Sequence, residues 1–94
     1  MKVRNKHKGK NGVFFIEDDH KEIIIMHYVL SEQGKMVIDH TEVNNAYKGK
    51  GFGRELIFAG VEYARKHQIK IIPLCPFAKS IFDNTPELAD VLSK

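Results

Sequence analysis

The sequence predicts an α/β fold of the α+β kind, with antiparallel N-terminal strands leading into one parallel strand–helix–strand crossover. Three observations carry this expectation. Residues 13–43 contain three aromatic and β-branched stretches separated by turn chemistry. From Arg54 to His67 the apolar residues adopt helical spacing. Residues 69–74 then return to strand character. The predicted order is β-β-β-α-β-α-α.

The first strand is Val13 to Glu17, followed by the polar turn Asp18 to Lys21. Residues 22–30 form a second strand. Ile24, Met26, Tyr28 and Leu30 line one face and Ile23, Ile25, His27 and Val29 the other, so both faces are expected to be buried. A turn at Gly34 leads to the third strand, residues 36–43. Strict alternation puts Met36, Ile38, His40 and Glu42 on one side and Val37, Asp39, Thr41 and Val43 on the other. The helix buries Leu56, Ile57, Gly60, Val61 and Ala64 and carries an outer Glu62–Lys66 pair. Pro73 marks the following strand as an edge or its end. A short helix is predicted over 77–83, and Thr85-Pro86 reads as the cap and first position of another. Residues 36–74 should form a right-handed crossover.

The chain has 94 residues, 43% hydrophobic and 29% charged, which fits one small globular domain over residues 1–94. No apolar run approaches the ~18 residues of a membrane span. One cysteine cannot form an internal disulfide or a cysteine-rich zinc site. A reduced, cytoplasmic protein is the expectation. The net charge of +3 is unevenly placed. Lys2, Arg4, Lys6, Lys8 and Lys10 fall in the first ten positions, and the remainder carries ten basic and twelve acidic residues. Residues 1–12 therefore read as a flexible, solvated basic segment. That argues against a nucleic-acid interface, which usually spreads its charge over a folded face.

The stretch Asn44 to Arg54, NNAYKGKGFGR, lies between a strand and a helix. Gly49, Gly51 and Gly53 let backbone N–H groups converge, and the helix N-terminus adds unpaired N–H groups and positive dipole. Lys48, Lys50 and Arg54 add full charges. Together they make an anion cradle suited to phosphate or pyrophosphate. Neither GxxxxGK[ST] nor GxGxxG is present.

Lys48-Gly49-Lys50-Gly51-Phe52-Gly53 resembles the Q/R-x-x-G-x-G/A pyrophosphate loop of the GNAT superfamily of N-acetyltransferases. Lys48 stands where glutamine or arginine is commoner. The resemblance covers about residues 13–83. The segments HTEV, YKGKGFGRELI and IIPLCPF resemble the superfamily's minimal branch, which has a cysteine after the strand that follows the loop helix. The resemblance implies a mixed sheet whose two parallel strands splay into a V. It implies acetyl-coenzyme A in that V, held by Glu42, Val43, Tyr47, Lys48, Gly49, Lys50, Gly51, Phe52, Gly53 and Arg54. Tyr47 is expected to cover the cofactor. The helices that often wall the acceptor site are missing, since Asp18 to Lys21 is only a turn. The tyrosine that many members use as an acid is also missing, because its region reads FAKSIFDN. The acceptor is an unidentified amine on a small molecule or a protein.

Acetyl transfer needs a neutral nucleophile, a donor for the developing oxyanion and a stabilised leaving thiolate. Cys75 ends its strand at a helix start, where open α/β layouts face the ligand crevice and a helix N-terminus favours thiolate. It can accept the acetyl group covalently, assist the leaving thiolate, or simply pack, as buried cysteines commonly do. His40 is the general-base candidate, and the alternative is a hydrogen-bonded structural histidine. Asp39 and Thr41 are expected to face away from it. His27 reads as core. His7, His20 and His67 read as solvated, and no metal site is predicted. Two rival functions stay open: a coenzyme A-binding module without efficient transfer, and a nucleic-acid-binding domain using the basic N-terminus. Exposed strand edges also allow a homodimer.

Overall fold

The computed structural model describes residues 2–93. Strands β1 (Val3–Lys8), β2 (Asn11–Asp18), β3 (Lys21–Leu30), β4 (Lys35–Val43) and β5 (Lys70–Pro73) form one mixed sheet in sequential order. The first four pair antiparallel, and β4 and β5 pair parallel. Helix α1 (Phe52–His67) supplies the crossover, and α2 (Pro76–Asp83) follows β5. Membrane-spanning length and apolarity are found in no helix among the described residues.

One face of the sheet carries the core. Phe14, Ile16, Ile24, Met26, Tyr28, Met36 and Ile38 are buried against Leu56, Ile57, Val61 and Ala64 of α1. That helix face is the one its spacing predicts. Burying a side chain of this size contributes about 1.5–3 kcal/mol before entropy is counted. The second face of β3 departs from expectation, because no helix among the described residues covers it. Ile25, His27 and Val29 are only half-buried.

The basic N-terminus is a strand, not a flexible segment. Residues Val3 to Lys8 pair with Ile16 to Asn11. The physical reason lies in their side chains. Asn5 Nδ2 donates to Val13 O at 2.9 Å and to the buried Tyr28 Oη at 3.0 Å. Arg4 pairs with Glu17 and Lys6 with Glu22, and both cations lie over the Phe15 ring. Lys10 pairs with Glu32. Most of this charge is therefore spent within the fold. Burial, partly offset by the Asn5 bond, pushes the Tyr28 phenol above its ordinary range.

The most consequential irregularity is in β4. His27 of β3 pairs with His40, but the next residue, Tyr28, pairs with Ile38. Asp39 is thus an extra residue, a β-bulge. Cross-strand partners share a face. Thr41 and Val43, opposite Met26 and Ile24, therefore join Met36 and Ile38 on the core face. His40 and Glu42 go to the other face. This reverses the grouping that strict alternation predicts.

The C-terminal part differs in detail. Pro86–Val91 is a 3-10 helix, and the buried Thr85 Oγ1 caps nothing and has no partner among the described residues. Glu62 pairs with Arg65, not Lys66. Arg65 anchors the tail by two bonds to Asp90, at 3.0 and 2.9 Å, and one to Glu87 O. The guanidinium holds the Asp90 carboxyl below its usual range. A depressed carboxylate stabilises the fold above its unfolded value, about pH 4, and that contribution is lost as pH falls through the lower folded value. The melting-temperature gap between wild type and Asp90→Asn should therefore close as pH drops below about 4. A gap independent of pH would rule out this anchor.

Candidate functional site

Parallel pairing between β4 and β5 ends at Ile38 and Pro73. Pro73 has no N–H to extend the ladder. The Ile38 carbonyl instead accepts both Leu74 N–H, at 2.9 Å, and Cys75 N–H, at 3.1 Å. β4 continues to Val43 without β5 beside it. This is the parting of parallel strands at which open α/β sheets bind ligands.

Next to it, a cleft of about 450 Å³ is lined by Val43, Tyr47, Lys48, Gly49, Gly51, Phe52, Gly53, Arg54, Phe77 and Ile81. Its size is that of a small-molecule site. Asn44 begins the loop. Its side chain accepts the Ala46 N–H at 3.0 Å and caps a 3-10 helix, Asn45–Tyr47. Gly51 then caps α1 in the left-handed region, φ 83°, and Gly49 is left-handed as well. Side-chain-bearing residues rarely adopt that conformation. The amides of residues 49–54 donate to no backbone carbonyl among the described residues. They are left available at the positive end of a sixteen-residue helix. Lys48, Lys50 and Arg54 are exposed and form no ion pair among the described residues. The Arg54 guanidinium lies 4.8 Å from the Phe58 ring centroid.

Gly53 serves a different purpose from its neighbours. Its φ is not positive, and a Cβ there would stand 2.4 Å from the Phe77 ring. Its missing side chain seats Phe77, which is 41% exposed and walls the cleft. Phe77 and Ile81 were not predicted from the sequence. Their signal was the glycine itself, whose packing partner only the fold reveals.

The other expected residues divide. Val43, Tyr47, Lys48, Gly49, Gly51, Phe52, Gly53 and Arg54 come together around the cleft. Lys50 belongs to the same loop but does not line it. Glu42 turns to the opposite face of the sheet and bonds His40 at 2.9 Å. The His40 side chain is 60% exposed. Thr41, not His40, meets Cys75, with Oγ1 3.3 Å from Sγ. That sulfur also accepts the Ala78 N–H at 3.4 Å as the cap of α2. Cys75 is 7% exposed and does not line the cleft. His27, expected in the core, is half-buried and shares a 2.6 Å bond with Asp39. No cluster of three or more potential metal ligands occurs among the described residues.

A mixed sheet parting at its parallel pair, with a glycine loop feeding the crossover helix, is the architecture of the GNAT class of acetyltransferases. The chain belongs to the GCN5-related N-acetyl-transferase family, whose pattern matches residues 13–91. It is similar to the solution structure of a GCN5-like protein from Staphylococcus aureus, with 31% identity and a TM-score of 0.74 over 96% of this chain and 87% of that one. Its fold is also that of a ribosomal-protein-alanine N-acetyltransferase from Brucella melitensis biovar Abortus 2308. There the identity is 16% and the TM-score 0.70, over 83% of this chain and 62% of that one.

Gly51→Val forces a β-branched residue into the left-handed cap of α1. The phosphate role expected of this loop predicts that coenzyme A affinity, measured by calorimetric titration, falls by at least about tenfold, since both the turn and its amides are displaced. Unchanged affinity would show that the loop does not hold the phosphates.

Proposed function

We propose that this chain is an acetyl-coenzyme A-dependent N-acetyltransferase that acetylates an amine. The cleft supports this reading most directly. It combines unpaired amides, unpaired cations and an apolar wall beside a parted parallel strand pair. The loop amides and Lys48 suit the diphosphate. Val43, Phe52, Phe77 and Ile81 suit the uncharged arm. When bound, acetyl-coenzyme A supplies the acetyl group as an activated thioester.

Two routes to the amine differ in the role of Cys75. In the first, Cys75 Sγ bonds the acetyl carbon as the bond to coenzyme A sulfur breaks, and the thiol proton ends on the released coenzyme A. The amine then displaces Cys75, which recovers a proton from it. The contacts of the sulfur with Thr41 Oγ1 and Ala78 N–H support this route. In the second, the amine attacks the bound thioester directly. The low exposure of Cys75 and its position outside the cleft favour this second route.

Incubation with acetyl-coenzyme A distinguishes them. The covalent route predicts a mass gain of about 42 Da that disappears in Cys75→Ala. The direct route predicts thiol release only when an acceptor amine is added, without an adduct, and normal turnover in Cys75→Ala. Binding with neither outcome across a panel of added primary amines would identify a coenzyme A-binding module, and absence of binding would refute the proposal.

A further inference from the structure

Tyr47 lines the cleft, yet its hydroxyl is held from outside it. Oη donates to Asp18 Oδ2 at 2.7 Å. Asp18 is the last residue of β2 and pairs with Lys21 across a two-residue turn. Both turn residues are left-handed, Asp19 at φ 51° and His20 at φ 64°. This is the backbone pattern of a tight hairpin turn that continues the twist of its strands. Such a turn has little slack, so the sheet sets the position of the Asp18 carboxylate.

The other end of Tyr47 is fixed as well. Its N–H donates to Asn44 O at 2.9 Å, and Asn44 N–H donates to Ile23 O of β3 at 2.8 Å. The Tyr47 ring lies 6.1 Å from that of Phe52, the first residue of α1. Between these two rings runs Lys48 to Gly51, the phosphate-facing part of the loop. The carboxylate acceptor also holds the Tyr47 hydroxyl above its ordinary range, so it stays a donor. A polar turn at one end of the sheet is thereby tied to the starting point of the loop.

We propose that Asp18 is a positioning residue for the cofactor: by accepting the Tyr47 hydroxyl, it holds that ring as a wall of the cleft and sets where the loop begins. The proposal rests on the coenzyme A reading of the cleft. Without Asp18 the tyrosine regains rotamer freedom that binding must remove, and the loop loses part of its preorganisation.

Calorimetric titration with coenzyme A tests this on wild type, Asp18→Ala, Asp18→Asn, Tyr47→Phe and the Asp18→Ala/Tyr47→Phe double variant. Each of Asp18→Ala and Tyr47→Phe should weaken binding by about fivefold to twentyfold, the scale of one preorganising hydrogen bond. The double variant should be no weaker than the weaker single variant by more than about twofold, because both remove the same bond. Asp18→Asn keeps an acceptor oxygen and should bind within about twofold of wild type. Wild-type binding with no loss in Asp18→Ala overturns the positioning role alone. Additive losses, or an Asp18→Asn as weak as Asp18→Ala, overturn it too. A wild-type chain that does not bind coenzyme A overturns the cofactor reading and this role together.

Discussion

The site depends on the point where a parallel ladder is forced to stop. Pro73 has no amide hydrogen, and the Ile38 carbonyl is occupied by the N–H groups of both Leu74 and Cys75. Beyond this point β4 has no β5 partner, although it continues to Val43. Backbone groups left unpaired in this way are costly unless water or a ligand satisfies them. The same parting sends α2 away from the strand and sets Phe77 against the start of α1. A wall and a free strand edge thus follow from one termination, beside a helix start that Gly51 caps without a side-chain hydrogen bond.

The bulge at Asp39 completes the arrangement. It exchanges the faces of every residue after it, so Thr41 and Val43 turn inward and His40 and Glu42 outward. Chemistry on β4 is consequently separated by side. The hydroxyl contact to Cys75 lies on the core side, and two histidine–carboxylate pairs, His27–Asp39 and His40–Glu42, lie on the uncovered side. A proton acceptor for an incoming amine and a partner for the thiol would therefore come from different faces.

The helical and strand periods were readable because each is enforced by burial on one face. α1 buries the residues that its spacing singled out, and the loop motif lies between β4 and α1, as its composition required. β1 was not readable. Its sequence, VRNKHK, has almost no apolar alternation, and its order comes from Asn5 reaching Tyr28 and from cations lying over Phe15. These are contacts between distant residues that no local pattern encodes. The bulge was invisible for a related reason: one added residue leaves composition unchanged but reverses facing. Spacing groups Gly53 with Gly49 and Gly51, whereas the fold uses its missing Cβ to seat Phe77.

The pairing of charges within the sheet bears on the nucleic-acid alternative. A backbone-binding face draws its affinity from cations that release counterions on contact with phosphate. Arg4, Lys6 and Lys10 are already matched to Glu17, Glu22 and Glu32. Binding a polyanion through β1 would have to break those pairs and uncover Phe15. The cations at the glycine loop face no such competition among the described residues, and free amides stand beside them. Two basic clusters of similar composition therefore differ in what they can bind. Three of the five cations of the first are paired by the fold that orders it, while the second is kept available by a loop too short and too rich in glycine to neutralise itself.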